Sequence, residues 1–484
     1  MKFQEQQTVN HRTVNPNRIL FVLCMAAFLV PFMGSSINLA LPQIGENFSL
    51  KSIAITWISI SYLITTAIFQ IPLARLSDLI GRRRTFIMGV MIFSVTSCLC
   101  GFSVSGNMLI TLRALSGIGS AMMFGTNMAI LTSVFPQHQR GRALGINTSV
   151  VYASIAAGPF LGGLITYHLG WQSIFFFSAI VGLLVVVFAL FFLEEEWIVS
   201  KGEKFDWIGS FTYGVALFGI IFGFTKLPSF VGVMCIAAGF IFFGIFTLQE
   251  NRCTFPLFNI QLFKNKVYLF SSLAALINYA ATFAIGFILS LYLQYIRGFD
   301  AQKAGLFLVI QAAIQSVVAL LSGRLSDSIS PSKLATSGML IIVVGLTGWS
   351  FLAANTPIWM IATLSVIMGL GFGVFASPNT NVIMSSVEKK HYGQASATTG
   401  TVRLIGQSLS MGIASMVISL KMGNRKITED IYPQFMESVH IMFLIFIALC
   451  LIGVFSSMVS KKNSPNPNIF TTKNNFSEGM LQSN

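Results

Sequence analysis

The chain has 484 residues, of which 54% are hydrophobic and only 10% charged, with a mean hydropathy of +0.75; a water-soluble fold could not cover its exterior with so little polar surface. The formal charge is +14, but Lys and Arg fall in short clusters between apolar runs and not along one amphipathic face, so nucleic acid is not their partner. Five of the 6 Cys (Cys24, Cys98, Cys100, Cys235 and Cys450) lie within apolar runs and Cys253 sits in a connector beside Arg252, which leaves neither a disulfide framework nor a metal-binding spacing.

Met1 to Arg18 is polar and carries Lys2, Arg12 and Arg18. The apolar run that follows, Ile19 to Leu41, is too long for a signal peptide and lacks a small-residue cleavage end, so it reads as a first membrane span. A helix needs about 20 apolar residues to cross the hydrocarbon core. Fourteen such runs can be placed, beginning near Ile19, Ile55, Arg84, Asn107, Ala143, Gln172, Asp206, Ser229, Tyr268, Ala301, Leu334, Pro357, Gln394 and Val439. Beyond Ser460 come Lys461, Lys462 and an Asn/Ser-rich stretch with Pro465 and Pro467, a composition that cannot bury a core.

Placing the N-terminus in the cytoplasm assigns roughly 21 of the 30 Lys and Arg to cytoplasmic segments and roughly 7 to external ones, as the positive-inside rule requires. Arg113 and Arg403 are left within spans. The even number of spans then puts both termini in the cytoplasm of a multi-pass protein of the cell membrane.

The chain is self-similar at a spacing of about 250 residues, as transporters built from two rocking bundles are. Arg75-Leu76-Ser77-Asp78 matches Arg324-Leu325-Ser326-Asp327. At one constant offset Gly117 meets Gly369, Gly119 meets Gly371, Asn127 meets Asn379, Ser133 meets Ser385, Gly141 meets Gly393 and Ala143 meets Ala395. The second span therefore maps onto the tenth and the fourth onto the twelfth. The expected organisation is a cytoplasmic N-terminus (1–18), a six-helix bundle (19–195), an inserted pair of spans with cytoplasmic flanks (196–266), a second six-helix bundle (267–460) and a disordered cytoplasmic tail (461–484).

Three motifs carry more than hydropathy. Between spans two and three, Ala74 to Thr85 reads ARLSDLIGRRRT, an acid at a helix end followed by Gly and three Arg; by itself this would also serve as a positive-inside anchor with a turn. In span four, Leu109 to Ala121 reads LITLRALSGIGSA, with Arg113 a few residues inside; a buried Arg is functional by default, and snorkelling to the headgroups is the alternative. In span five, Ser154 to Ile165 reads SIAAGPFLGGLI, and Gly158, Pro159, Gly162 and Gly163 make a close-packing face with a kink whatever the function.

Taken together these stretches resemble the signature loop, the fourth-helix motif and the fifth-helix antiporter motif of the major facilitator superfamily, in its fourteen-span drug:proton antiporter (multidrug efflux) branch. The resemblance implies an all-α membrane protein with the major facilitator fold, two six-helix bundles plus two inserted helices, working as a monomer on a small-molecule substrate with protons as coupling ion. It implies a conformational latch of Asp78, Gly81, Arg82 and Arg83, with Arg324 and Asp327 in the second half, and a coupling role for Arg113. Departures are Ala74, Ser116 and Ser154 at positions where Gly, Gln and Gly are usual. Asn38, Ala40, Leu41 and Pro42 match the branch's first helix, but Met33 stands where that helix carries Asp.

All 16 Asp and Glu fall in termini, loops or span ends, so no span interior offers a carboxylate to take up a proton. What remains inside are Arg113, Arg403 and neutral polar side chains, from which Asn38, Asn127, Gln311, Gln315, Asn379, Arg403 and Gln407 are the candidates for a substrate cavity. Gln311 and Gln315 share one helix face, as do Arg403 and Gln407. Two cations without buried acids point to anionic or zwitterionic amphiphiles as cargo. Gly369, Gly371 and Gly373 follow no strand and read as helix packing. No nucleotide-binding loop, metal spacing or nucleophile with a placed base is present, so neither a cofactor nor an enzymatic reaction is expected. A secondary active exporter is the leading expectation, beside an uptake carrier or proton-independent facilitator of the same fold and a non-transporting membrane receptor.

Overall fold

The structure, a computed structural model, describes residues 16–258, 260–326, 328–388 and 392–463. Asp327, most of the N-terminal segment and nearly all of the polar tail lie outside the described residues. Fourteen helices among the described residues are long and apolar enough to cross a membrane. The first six are α1 (Pro16–Asn47), α2 (Ser52–Ile80), α3 (Arg82–Gly101), α4 (Gly106–Val134), α5 (Gln137–Leu169) and α6 (Gln172–Phe192). The inserted pair is α7 (Trp207–Lys226) and α8 (Phe230–Arg252). The last six are α9 (Lys266–Ile296), α10 (Ala301–Leu325), α11 (Pro331–Trp349), α12 (Ile358–Ser385), α13 (Tyr392–Met422) and α14 (Tyr432–Asn463). Most begin within three residues of the positions expected from hydropathy. The exceptions, α5 and α14, gain an amphipathic turn or two that apolar counting does not see. We call the end where α1 begins and α14 ends the terminal face, and the opposite end the distal face.

Helices α1–α6 form one bundle and α9–α14 the other, and the repeat seen in the sequence is a repeat of contacts. A methyl group added to Gly119 would lie 2.6 Å from the Phe93 nitrogen on α3; one added to Gly371 on α12 would lie 2.9 Å from the Ile342 nitrogen on α11. Likewise a methyl on Gly117 would meet the Tyr62 carbonyl at 2.7 Å and one on Gly369 the Gln311 carbonyl at 2.6 Å. Within lipid no hydrophobic force drives helices together, so backbone approach at small residues supplies the packing energy instead. The two repeats also share a buried hydrogen bond: Asn127 Nδ2 donates to Leu23 O (2.7 Å), joining α4 to α1, and Asn379 Nδ2 donates to Ser271 O (3.2 Å), joining α12 to α9.

Helix α7 lies against both α2 and α13, with the Tyr213 hydroxyl donating to Ala67 O at 3.1 Å. Helix α8 packs on α7 and turns Phe240, Ile241 and Leu248 outward, a surface that only lipid tails would cover without cost. Helix α9 is interrupted: the Ala284 N–H is donated to Ser410 Oγ of α13 (3.0 Å), and Tyr292–Ile296 forms a π-helical turn. Such breaks survive in a membrane because neighbouring side chains take over the freed backbone groups.

Replacing Gly371 with Val wedges α11 from α12 and should destabilise the protein by about 1–3 kcal/mol, read as a lowered thermal midpoint in detergent. Gly244→Val, on the open face of α8 where no atom lies within 4 Å, should leave the midpoint unchanged; equal losses from the two would show that close backbone approach is not what holds the bundle.

Candidate functional site

The loop between α2 and α3 is a single residue, Gly81, with φ +121°. A side chain there would be strained in backbone and would collide with Glu196, whose Cδ lies 2.5 Å from where a Cβ would stand. Around this turn the three Arg are each engaged. Arg82 Nε donates to Asp78 Oδ1 (2.8 Å), and its Nη1 donates to Ala129 O (3.0 Å) and Ser133 Oγ (2.7 Å) on α4. The Arg83 side chain donates to Leu193 O, while the backbone N–H groups of Arg83 and Arg84 donate to Glu196 at 2.8 and 3.2 Å. Glu196 thus places a carboxylate on the N-terminus of α3, where the helix dipole and unsatisfied amides favour an anion. The α6–α7 linker is held further by Arg75, which pairs with Glu203 and donates to Ser200 Oγ (3.0 Å), and by Asp78 O, which accepts from Val199 N (3.1 Å) and Ser200 N (3.0 Å). Arg324 is exposed at the end of α10.

Arg113 is 1% exposed, which removes the snorkelling alternative. Its guanidinium carbon lies 4.1 Å over the Tyr62 ring, its Nε donates to Ile58 O (3.2 Å), and its Nη1 is buried without a partner. Tyr62 is itself fixed by a 2.7 Å hydrogen bond with Ser120. A desolvated cation on an aromatic face gains about 2 kcal/mol, part of what burying it costs. This pocket lies between α2 and α4, inside the first bundle.

The glycines of α5 form a three-helix junction. A methyl on Gly162 would stand 2.5 Å from Ser36 Cβ of α1, one on Gly158 would stand 2.9 Å from Ser35 Cβ, and one on Gly163 would stand 2.5 Å from Ala301 O of α10, in the other bundle. Gly305 of α10 lies against the Pro159 carbonyl. Ser154, where the motif usually begins with Gly, donates to Phe28 O at 2.5 Å and so adds a bond to α1. Met33 is fully enclosed in α1.

Several hydrogen bonds join the bundles at the distal face. Ser52 N donates to Arg425 O (2.9 Å), Ser52 Oγ to Gly423 O (3.2 Å), and Thr56 Oγ1 to Ser415 Oγ (3.1 Å). Ser290 Oγ donates to Asn38 O (2.6 Å), Gln294 Nε2 to Leu39 O (3.3 Å) and, deeper, Ser316 Oγ to Tyr152 O (3.1 Å). Toward the terminal face a shallow, mostly apolar depression of about 510 Å³ is lined by Arg142, Gly145, Ile146, Ser149, Val150 and Ala153 of α5 with Leu320 of α10.

Mid-membrane, Arg403 of α13 stands 5.5 Å over the Phe124 ring of α4, across the junction. Tyr152 of α5 and Tyr279 of α9 lie within reach of its charge, and its Nε is buried without a partner. Gln407 is one turn further along α13 and half-buried, as is Gln311, while Gln315 is buried beside Ser316. The structure does not bring all the candidates together. Asn127 bonds α1 and also accepts from Asn147 (3.0 Å), Asn379 bonds α9, and Asn38 is buried under the distal contact with Ser290, so these three amides sit in helix packing. Among the described residues the carboxylates lie in connections or within the first or last two turns of a helix, Glu437, five residues into α14, being the furthest along.

Sequence reasoning missed Glu196, although three acids at Glu194–Glu196 facing three Arg were a signal of charge complementarity. It missed Phe124, Tyr152 and Tyr279 because they come from three separate helices in a chain with 45 Phe and 10 Tyr. Glu196→Gln should weaken the linker's hold by about 1–2 kcal/mol, seen as faster hydrogen exchange at the Arg83 and Arg84 amides; unchanged exchange would mean that Glu196 does not cap α3.

Comparison with known proteins matches the model of the Major Facilitator Superfamily to residues 23–411, with an overlapping second match to 271–475. The tetracenomycin C resistance and export protein of Streptomyces glaucescens is 29% identical over 86% of this chain and 77% of its own. The riboflavin transporter RibZ of Clostridioides difficile is 27% identical over 82% of this chain and 86% of its own, and the multidrug resistance protein Stp of Mycobacterium tuberculosis is 27% identical over 83% and 74%. Among solved structures, an inward-facing, unoccupied bacterial homologue of the human lysosomal transporter Spinster superposes with a TM-score of 0.69 at 18% identity, covering 93% of this chain and 99% of that one. With two bundles related by an internal repeat, an inserted helix pair and a family match across the spans, the chain belongs to the major facilitator superfamily.

Proposed function

We propose that this transporter is a secondary active exporter of small amphipathic compounds, working as an antiporter by alternating access, and that the structure is its inward-facing state. The observation that carries the reading is the asymmetry of the junction, hydrogen-bonded at the distal face and bordered along α5 toward the terminal face by an open, mostly apolar depression. The Lys and Arg bias puts the terminal face, and both termini, in the cytoplasm of a cell-membrane protein. The segment boundaries at residues 18, 195, 266 and 460 belong to the same reading. Export is supported by the α5 motif and by relatives named for resistance and, in one case, export.

In this reading Gly158, Gly162 and Gly163 let α1, α5 and α10 seal the distal face. Asp78, Gly81, Arg82, Arg83 and Glu196 form a cytoplasmic clasp whose partners must change when the terminal face closes, because only contacts that differ between states can bias an alternating equilibrium. Arg113, enclosed by Tyr62, is the candidate for coupling. An uptake carrier or proton-independent facilitator is the second reading, favoured by the lack of a described carboxylate in a span interior and by a riboflavin transporter among the relatives.

Two measurements test the reading. In a variant without native cysteines, Ser149→Cys should react with a membrane-impermeant maleimide in everted vesicles and not in right-side-out ones; the opposite pattern would reverse the orientation. Everted vesicles should accumulate cargo under an imposed pH gradient, and Arg113→Ala should reduce this by about 100-fold, the scale of a lost charge-assisted contact. Accumulation that ignores the gradient would replace proton antiport with the second reading.

A further inference from the structure

We infer that the middle of the junction is a binding site for the anionic group of an aromatic amphiphile, with Arg403 as its charge partner; this rests on the transporter reading and names the substrate class of the same site. Arg403 is half-buried and close enough to the junction to sit over Phe124 of the opposite bundle. Tyr152 lies on one bundle and Tyr279 on the other, and Tyr279 continues into Phe372 at a ring separation of 6.0 Å. Among the described residues no ion pair involves Arg403, and its Nε is buried with no acceptor. A guanidinium has five donors and cannot lose its charge, so an acceptor has to come from elsewhere.

The other intramembrane cation does not compete for this role. Arg113 is closed beneath Tyr62 within one bundle, whereas Arg403 lies over Phe124 of the opposite bundle, at the junction between the two. Asp78, the carboxylate that could have neutralised a membrane Arg, is engaged with Arg82 at the terminal face. Alternating access requires both ends to be shut at some point, and enclosing an unpaired cation in low dielectric is unfavourable. An anionic cargo removes that obstacle and a cationic one aggravates it. Gln407, one turn from Arg403, offers an amide to the polar remainder of the same group.

The test uses one aromatic body with three charges: 1-pyrenesulfonate, 1-pyrenemethanol and 1-pyrenemethylammonium, titrated against the purified full-length protein in detergent by fluorescence anisotropy. The sulfonate should bind at least about 10-fold tighter than the alcohol, and the ammonium weakest, because like charges repel strongly at this depth. Arg403→Gln should bring the sulfonate to the affinity of the alcohol while the alcohol itself changes by less than about 3-fold, and Arg403→Lys should keep most of the preference. Retained alcohol binding doubles as the check that each variant is folded. Equal affinities for sulfonate and ammonium, or a preference that survives Arg403→Gln, would overturn the inference. Proteoliposomes separate it from the function on which it rests: movement of the ammonium independent of Arg403 keeps the transporter and removes the anion site, whereas Arg403-dependent sulfonate binding with no probe crossing the bilayer keeps the site and removes the transporter.

Discussion

The bilayer supplies no hydrogen bonds, and most of this molecule follows from that. Backbone groups must be satisfied within helices, so the chain is spent on fourteen spans with short connections. Buried polar side chains need partners: many Ser and Thr hydroxyls bond carbonyls of their own helix, and several Ser and Asn reach a neighbouring one, from Asn127 on Leu23 O to Ser154 on Phe28 O. Helices attract one another only through close fit, which is why the Gly contacts recur in both halves at Gly119 and Gly371.

The two halves repeat each other in their interiors and differ where they meet. Gly117 and Gly369 do the same work in the two bundles, but their cations are not symmetric: Tyr62 on α2 shelters Arg113, whose position in the repeat is Ser365 on α12, while Arg403 on α13 stands over Phe124 of α4. One cation is enclosed within a bundle and the other lies beside the junction. The inserted pair adds a further asymmetry, since α7 touches α2 and α13 and therefore follows both bundles on one side of the molecule.

Charge is distributed by depth. At the terminal face Arg75, Arg82, Arg83 and Arg84 are matched by Asp78, Glu196 and Glu203, so that the loop between α2 and α3 and the linker between α6 and α7 form one clasp. Mid-membrane the balance is different, with cations answered by aromatic faces and carbonyls. A carrier so arranged has acceptors for its own charge at the cytoplasmic rim in the proposed orientation and offers an unanswered donor in the middle.

Hydropathy alone determined the number of spans and nearly all their starting points, because crossing a 30 Å hydrocarbon layer dictates run length independently of what packs beside it. The repeat and the three motifs were also legible, since local turns and close-packing glycines leave a mark in consecutive residues. Which polar residues face the cavity was not. Asn127 and Asn379 look like ligand contacts in a list of intramembrane amides and each bonds a neighbouring helix, while Phe124 looks like ordinary apolar filler and lies under Arg403, with Tyr152 and Tyr279 within reach of its charge. Their roles depend on which helix faces which across the junction, a relation among segments more than a hundred residues apart that no local pattern encodes.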